Sequence, residues 1–170
     1  MKRSFATLAP PEALYAAILI EQRNADIYDR FAEMFTEFGD EDSLEVAAVF
    51  WEMAIEERGH QSLLQQKYTD NYGDAKCELT EEDLVEFIEV PRLETGDLFA
   101  ETKADRAGRD RALQVALQAE LAAQRYYAGL VKQTPAGPLR DVYRDLSQME
   151  DSHIAFLAAR LREETETNRA

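Results

Sequence analysis

Residues 49–64 read VFWEMAIEERGHQSLL, and residues 142–157 read VYRDLSQMEDSHIAFL. In both stretches apolar residues recur every three or four positions, which predicts one buried face of an α-helix. The same polar pair interrupts each buried face, a glutamate followed three residues later by a histidine: Glu57 with His60, and Glu150 with His153. These are the only two histidines in the chain, and both follow a glutamate at helical spacing.

A related pattern precedes each of these stretches. Residues 17–21 read AILIE and end at Glu21, while residues 116–120 read ALQAE and end at Glu120. A tyrosine follows each glutamate after seven residues, at Tyr28 and Tyr127. The chain therefore contains a duplicated helical hairpin, and the polar positions are duplicated with the apolar ones.

Breaks in the periodic pattern divide the chain into four long helices, at about 11–38, 43–68, 108–133 and 139–162. Pro11 is a good first-turn residue, and Ser43 is a candidate N-cap for the second helix. Residues 69–107 are less regular and form a long crossover, in which a capping box of Thr80 and Asp83 opens a short helix at about 81–89. The order predicts a single all-α domain over 1–170, an antiparallel four-helix bundle with one long crossover between its second and third helices.

Composition excludes several classes of function. The 170 residues are 45% hydrophobic, which suits one domain with its own core. The formal net charge is -15, which argues against binding to a nucleic-acid backbone. Cys77 is the only cysteine, so an intrachain disulfide or a cysteine-based metal cluster is excluded.

The chain also shows no targeting or membrane signal. Its first residues lack the apolar segment and cleavage site of a signal peptide. No apolar run reaches the length needed to span a bilayer. The sequence therefore predicts a cytoplasmic protein without a membrane segment.

The glutamates on the predicted buried faces need a compensating charge. A buried carboxylate without a partner costs several kcal/mol or becomes protonated. Two metal ions between four glutamates would supply that charge, and each histidine would cap one ion. A site rich in carboxylates favours iron, with manganese as the alternative. The predicted metal ligands are Glu21, Glu57, His60, Glu120, Glu150 and His153.

Other side chains are open to two interpretations. Tyr28 and Tyr127 are either core aromatics or hydroxyl groups that hydrogen-bond a ligand carboxylate or pass an electron. Phe50 and Trp51 fit a core or an interface. In the crossover, Glu89 and Glu94 are either solvated or additional carboxylates of the site; the choice stays open.

In these residues the chain resembles the rubrerythrin-like branch of the ferritin-like diiron-carboxylate superfamily, over about residues 10–162. In that family the first and third helices each give a glutamate, which corresponds to Glu21 and Glu120. The second and fourth helices each give a Glu-x-x-His motif. The first half also resembles the erythrin domains fused to membrane segments of the vacuolar-iron-transporter type. The resemblance implies a ferritin-like fold, two iron ions, reaction with dioxygen or hydrogen peroxide, and a homodimer.

Two departures from the family limit what the resemblance implies. Full-length rubrerythrins carry a rubredoxin domain with four cysteine ligands, whereas this chain has Cys77 alone. They also carry a second glutamate three residues after the ligand of the third helix, where this chain has Ala123. A peroxidase of this type would therefore need an external electron-donor protein.

Three functions follow from this pattern. The first is a diiron oxidoreductase of the oxidase or peroxidase type. The second is an iron-handling module that acts as a ferroxidase, stores iron or delivers it, alone or with a membrane iron transporter. The third is a metal-free helical interaction protein, which the six converging ligands disfavour.

Overall fold

The structure is a computed structural model that describes residues 7–73, 77, 79, 80, 83, 103 and 105–166. These residues form four long helices: α1 (Pro10–Phe38), α2 (Glu41–Tyr72), α3 (Arg106–Gln133) and α4 (Pro138–Glu166). The predicted all-α four-helix bundle is therefore confirmed. Each helix begins one or two residues before its predicted start, and α2 and α4 each end four residues later than predicted.

The turn between α1 and α2 explains the earlier start of the second helix. Gly39 ends α1 with a φ of 73°, a left-handed conformation that glycine adopts without steric cost. The prediction that Ser43 is the N-cap is wrong, because Asp40 takes that position and accepts a hydrogen bond from the Ser43 backbone N–H at 3.0 Å. The Ser43 hydroxyl also donates to Asp40 at 2.6 Å. These hydrogen bonds lower the pKa of Asp40 and favour its charged form at the positive end of the helix.

The end of α2 also differs from the prediction. The predicted end is at about residue 68, and the residues that follow it include Asp70 and Asn71, whose types favour turns. Instead, Asn71 Nδ2 donates to the backbone carbonyl of Lys67 at 2.7 Å, and the Tyr72 ring packs edge-on against Tyr68 with centroids 5.5 Å apart. Local packing therefore outweighs the low helix propensity, and α2 continues to Tyr72, with Gly73 as its C-cap.

Side-chain contacts fix the directions of the helices. Tyr15 packs against Tyr68, and Glu21 lies beside His60, so α1 and α2 run antiparallel. Similarly, Glu120 lies beside His153, and the Tyr127 ring stacks on Tyr143, so α3 and α4 are antiparallel. Arg109, near the start of α3, pairs with Asp42 at 3.1 Å and ties the second hairpin to the first turn.

The core consists of two apolar clusters, one on each side of a central polar layer. One cluster, here named the phenylalanine end, contains Phe31, Phe35 and Phe50 together with Tyr28. The other, named the tyrosine end, contains Tyr68, Tyr126, Tyr127 and Tyr143. Between them, the four glutamates on the buried faces meet.

The crossover is described at a few positions only. Thr80 and Asp83 form the reciprocal contacts of a capping box: the Thr80 backbone N–H donates to Asp83 Oδ2 at 2.8 Å, and the Asp83 N–H donates to Thr80 Oγ1 at 3.4 Å. The rest of the predicted helix at 81–89, like Glu89 and Glu94, lies outside the described residues. None of the helices in the described part of the chain is long and apolar enough to cross a membrane.

Candidate metal centre

Each helix contributes one glutamate to the centre of the bundle. Their side chains are completely buried, with 0% of each residue exposed, at Glu21, Glu57, Glu120 and Glu150. Each occupies a position on the apolar stripe of its helix, because glutamate replaces the apolar residue that the helical repeat would otherwise place there. The fold therefore brings together four carboxylates that are far apart in sequence.

The six predicted ligands form two overlapping groups. In the first, ligand atoms of Glu21, Glu57, His60 and Glu150 all lie within 4.8 Å of one another. In the second, Glu57, Glu120, Glu150 and His153 do the same. Glu57 and Glu150 belong to both groups, whereas each of the other four residues belongs to one. The arrangement suits two neighbouring ions that share two carboxylates.

The histidines face this cluster through the same ring nitrogen. His60 Nδ1 lies 3.2 Å from Glu21 Oε2 and 3.8 Å from Glu57 Oε1. His153 Nδ1 lies 3.4 Å from Glu120 Oε2 and 3.3 Å from Glu57 Oε1. The two rings are stacked, with centroids 6.0 Å apart. Each ring therefore presents one nitrogen to the carboxylates of one group.

Two of the carboxylates are poorly satisfied by the protein alone. Neither oxygen of Glu57 or of Glu150 has a hydrogen-bond partner of normal geometry among the described residues. Burial raises the pKa of both groups well above the usual value, and the nearby charges of Glu21 and Glu120 raise it further. Buried polar groups without partners are rare in folded proteins and need a specific explanation.

Glu120 has the opposite electrostatic environment. Burial on its own raises the pKa of this carboxyl group, but the neighbouring side chains of Glu150 and His153 and the hydrogen bond from Tyr28 favour its charged form and outweigh that effect, so the pKa is lowered. Burial likewise disfavours the charged form of His153, yet the adjacent carboxyl groups of Glu120, Glu150 and Glu57 raise its pKa. In the protein alone, protons on Glu57, Glu150 and His153 therefore offset the negative charge of the cluster.

Tyr28 and Tyr127 connect the two hairpins at the cluster. The Tyr28 hydroxyl on α1 donates to Glu120 Oε1 on α3, and the Tyr127 hydroxyl on α3 donates to Glu21 Oε1 on α1. Both tyrosines are fully buried, and burial raises the pKa of each hydroxyl well above its usual value. Each hydroxyl therefore stays protonated and keeps its donor role.

One contact at the centre was missed from the sequence. Glu56 Oε2 on α2 lies 2.6 Å from Nε2 of His153 on α4, on the side of the ring away from the cluster. Glu56 is four residues before His60, a spacing that suggests a contact within α2. The actual contact crosses to the other hairpin, and no local sequence signal indicates it.

Other predicted residues have simpler positions. Phe50 is buried in the core, whereas Trp51 is 43% exposed. Ala123 is buried on α3 and offers no ligand atom there.

The donor atoms of the cluster fit metal ions, since four carboxylates and two imidazoles are a donor set used for iron and manganese. The unpartnered oxygens of Glu57 and Glu150 support the same fit.

The fold is compatible with a ferritin-like four-helix bundle, and its centre is a buried carboxylate–histidine cluster that could bind metal. No family model matches the chain, and no curated protein matches its sequence significantly. Among solved structures, the fold is similar to that of an uncharacterized conserved protein from Magnetospirillum magnetotacticum MS-1, with a TM-score of 0.71 and 20% sequence identity. The match covers 92% of this chain and 95% of that protein, and it supports the fold.

Proposed function

We propose that this chain binds two iron ions between its four buried glutamates and two histidines and acts as an oxidoreductase on dioxygen or hydrogen peroxide. Manganese is the alternative metal. The observation that carries the proposal is the pair Glu57 and Glu150, which are buried, belong to both ligand groups and have no hydrogen-bond partner of normal geometry among the described residues. As a purely structural feature this pair would destabilise the fold.

The charge of the cluster supports two ions. Four ionised glutamates carry four negative charges, which two divalent cations neutralise. Glu57 and Glu150 would contact both ions, and the remaining four ligands would divide between them, Glu21 with His60 and Glu120 with His153. Tyr28 and Tyr127 would hold Glu120 and Glu21 in place, because each donates a hydrogen bond to one of these carboxylates.

The chemistry follows from the proposed metal and from the surroundings of the centre. Iron exchanges single electrons and so can reduce dioxygen or hydrogen peroxide. The two apolar clusters of the core lie on either side of the centre and limit the access of water. The hydroxyls of Tyr28 and Tyr127 would stay protonated and keep donating to the carboxylates they contact. Reducing equivalents for repeated turnover would come from an external electron-donor protein.

A second candidate is an iron-handling role, in which ferrous iron is the substrate. The net charge of -15 favours this role, because an acidic surface attracts cations. The chain would then act as a ferroxidase, storage or delivery module, with a membrane iron transporter as a partner.

A homodimer is proposed for either role. Apolar side chains exposed on α2 and α4 offer surface for a dimer interface: Leu44, Trp51, Ile55, Leu63, Met149 and Phe156.

The experiment that tests the proposal is anaerobic loading with two ferrous ions per chain, followed by separate mixing with dioxygen and with hydrogen peroxide. An oxidoreductase is expected to consume oxidant repeatedly when an electron donor is present, and to stop after a single oxidation without one. A ferroxidase is expected to oxidise further ferrous iron without any donor.

The test variant for this experiment is Glu57→Gln, and its matched control is Glu52→Gln; both residues lie on α2. Glu57 lies in the cluster, whereas Glu52 is exposed on the same helix. The first variant should consume oxidant no faster than free ferrous iron does, and the second should behave as the wild type. If Glu57→Gln retains the wild-type rate, the cluster does not perform the reaction.

A further inference from the structure

Glu56 contacts Nε2 of His153, the ring nitrogen that faces away from the cluster and is here called the outer nitrogen. Its Oε2 atom lies 2.6 Å from Nε2 of His153, although the two residues belong to different hairpins. The other nitrogen of this ring, Nδ1, faces the cluster, 3.3 Å from Glu57 Oε1 and 3.6 Å from Glu150 Oε2. The imidazole of His153 is therefore contacted at both nitrogens, by the cluster on one side and by Glu56 on the other.

The duplicated hairpin lacks this contact. Glu56 lies four residues before His60, and the residue four before His153 is Met149. A methionine sulfur is only a weak hydrogen-bond acceptor. Among the residues that the structure describes, the carboxylates that pair with His60 contact its Nδ1 atom. None of them contacts its Nε2 atom. The two histidines are therefore alike toward the cluster and unlike on their outer side.

We propose that Glu56 is a positioning residue that fixes the ring of His153 and makes the metal position at His153 the tighter of the two. This inference rests on the proposed function, since it assigns unequal affinities to the two proposed ions. A carboxylate on the outer nitrogen fixes which nitrogen carries the proton, orients the ring and makes the metal-facing nitrogen more basic. Loss of such a partner lowers metal affinity by about 10- to 100-fold.

The exposure of Glu56 separates this role from a role in fold stability. Its side chain is 58% exposed, whereas that of His153 is 10% exposed. Ion pairs with an exposed partner add little to the stability of a fold, because water screens them. Replacement of Glu56 should therefore leave the thermal unfolding of the metal-free protein nearly unchanged while altering the ring of His153.

The first measurement uses the metal-free protein and observes the histidine ring nitrogens by ¹H–¹⁵N NMR. In the wild type, the proton on Nε2 of His153 is expected to exchange slowly and to give a resolved signal, because Glu56 accepts its hydrogen bond. Glu56→Ala should remove that signal, and Glu56→Gln should retain it, since the amide oxygen is still an acceptor. Met149→Ala is the matched control from the other hairpin and should leave the signal unchanged.

The second measurement is a stepwise calorimetric titration of the same variants with ferrous iron under anaerobic conditions. The wild type is expected to bind two ions with unequal affinities. Glu56→Ala should weaken one step by about 10- to 100-fold and leave the other unchanged. Glu56→Gln should recover most of that loss, and Met149→Ala should change neither step.

The possible failures are distinguishable. If the wild type binds no iron, the proposed function is wrong, and the inference about unequal affinities is wrong with it. If the wild type binds two ions but Glu56→Ala weakens both steps equally, or neither, the proposed function survives and the role of Glu56 is wrong. A slowly exchanging His153 signal that persists in Glu56→Ala would also contradict that role.

Discussion

The two hairpins place the same polar groups at the centre and differ in what surrounds them. Tyr28 stacks on Phe50 with an interplanar angle of 24°, and Tyr127 stacks on Tyr143, the aligned position, at 23°. Both tyrosines also donate to a glutamate of the opposite hairpin. The two hairpins differ on the side of the histidine rings that faces away from the cluster. Glu56 of the first hairpin contacts His153 there, whereas the equivalent position in the second hairpin is Met149.

This comparison separates the groups that both hairpins supply from those that differ between them. The glutamates, the inward histidine nitrogens and the tyrosine hydroxyls occur in both halves, so each half supplies an equivalent set of ligand atoms. Partners outside this set vary, and such partners adjust affinity rather than create a site. Under the proposed function, a duplicated hairpin of this kind would bind two similar ions with unequal affinities.

The largest expected effect comes from the two glutamates that both ligand groups share. Glu57→Gln and Glu150→Gln should each weaken the binding of both ferrous ions by more than about 100-fold, since direct ligands contribute more than the partners behind them. Each variant should also stabilise the metal-free protein at neutral pH by about 1–3 kcal/mol, because a neutral amide removes the cost of protonating a buried carboxyl group on folding. Anaerobic calorimetry and urea unfolding measure the two effects.

Glu52→Gln is the control for these variants, since Glu52 is exposed on α2. It should change neither iron binding nor stability. A variant at Glu57 that weakens one ion and spares the other would show that the two groups do not share this ligand.

The next effect tests whether the crossed tyrosine contacts are equivalent. Tyr28→Phe and Tyr127→Phe should each lower the free energy of unfolding by about 1.5–3 kcal/mol, the range for hydrogen bonds to charged groups. Chemical denaturation of the metal-free protein measures this loss. Tyr143→Phe is the control, because Tyr143 is buried beside Tyr127 but makes no hydrogen bond to the glutamates of the cluster in the described structure. A loss of the same size in Tyr143→Phe would contradict the role given to the two contacts.

The pH dependence of stability tests the charge of the cluster in the metal-free protein. Burial raises the pKa of Glu57 and Glu150, so their favourable contribution is complete below about pH 4.5 and is lost as the pH rises through their raised values. The raised pKa of His153 likewise makes stability fall as the pH rises above about 6.5. The lowered pKa of Glu120 makes stability rise with pH, but only below about pH 4.5.

The metal-free protein should therefore lose stability between about pH 5 and pH 8, by at least about 1.4 kcal/mol, the equivalent of one pKa unit. With ferrous iron bound the trend should reverse, because binding displaces protons from the ligands. Thermal unfolding at several pH values, with and without iron, measures both trends. A metal-free protein that gains stability over this range would contradict the electrostatic account.

The smallest effect concerns the turn of the first hairpin. Gly39→Ala should destabilise the protein by about 1–2 kcal/mol, because Gly39 has a φ of 73° that residues with a Cβ atom rarely adopt. Gly129→Ala is the matched control, since this glycine lies inside α3 with nothing within 4 Å of an added Cβ. It should stabilise the protein by about 0.5–1 kcal/mol in thermal unfolding. A Gly39→Ala variant as stable as the wild type would show that the turn is not under this constraint.

Much of this structure could be predicted from the repeated helical pattern. The four helices and the convergence of Glu21, Glu57, Glu120 and Glu150 follow from residues that interrupt apolar stripes. The N-cap at Asp40 was missed because Ser43 is also a good capping residue, and only the geometry of the turn decides between them. The contact between Glu56 and His153 was missed because helical spacing indicates neighbours within a helix but not across hairpins. The identity of the metal is not encoded in spacing, because iron and manganese accept the same donors.

The most direct test of the proposed centre is anomalous X-ray diffraction from crystals loaded anaerobically with ferrous iron and measured at the iron absorption edge. Two anomalous peaks per chain are expected in the middle of the bundle. One should lie among Glu21, Glu57, His60 and Glu150, and the other among Glu57, Glu120, Glu150 and His153. Peaks confined to the acidic surface, or no peaks in well-diffracting loaded crystals, would contradict the account.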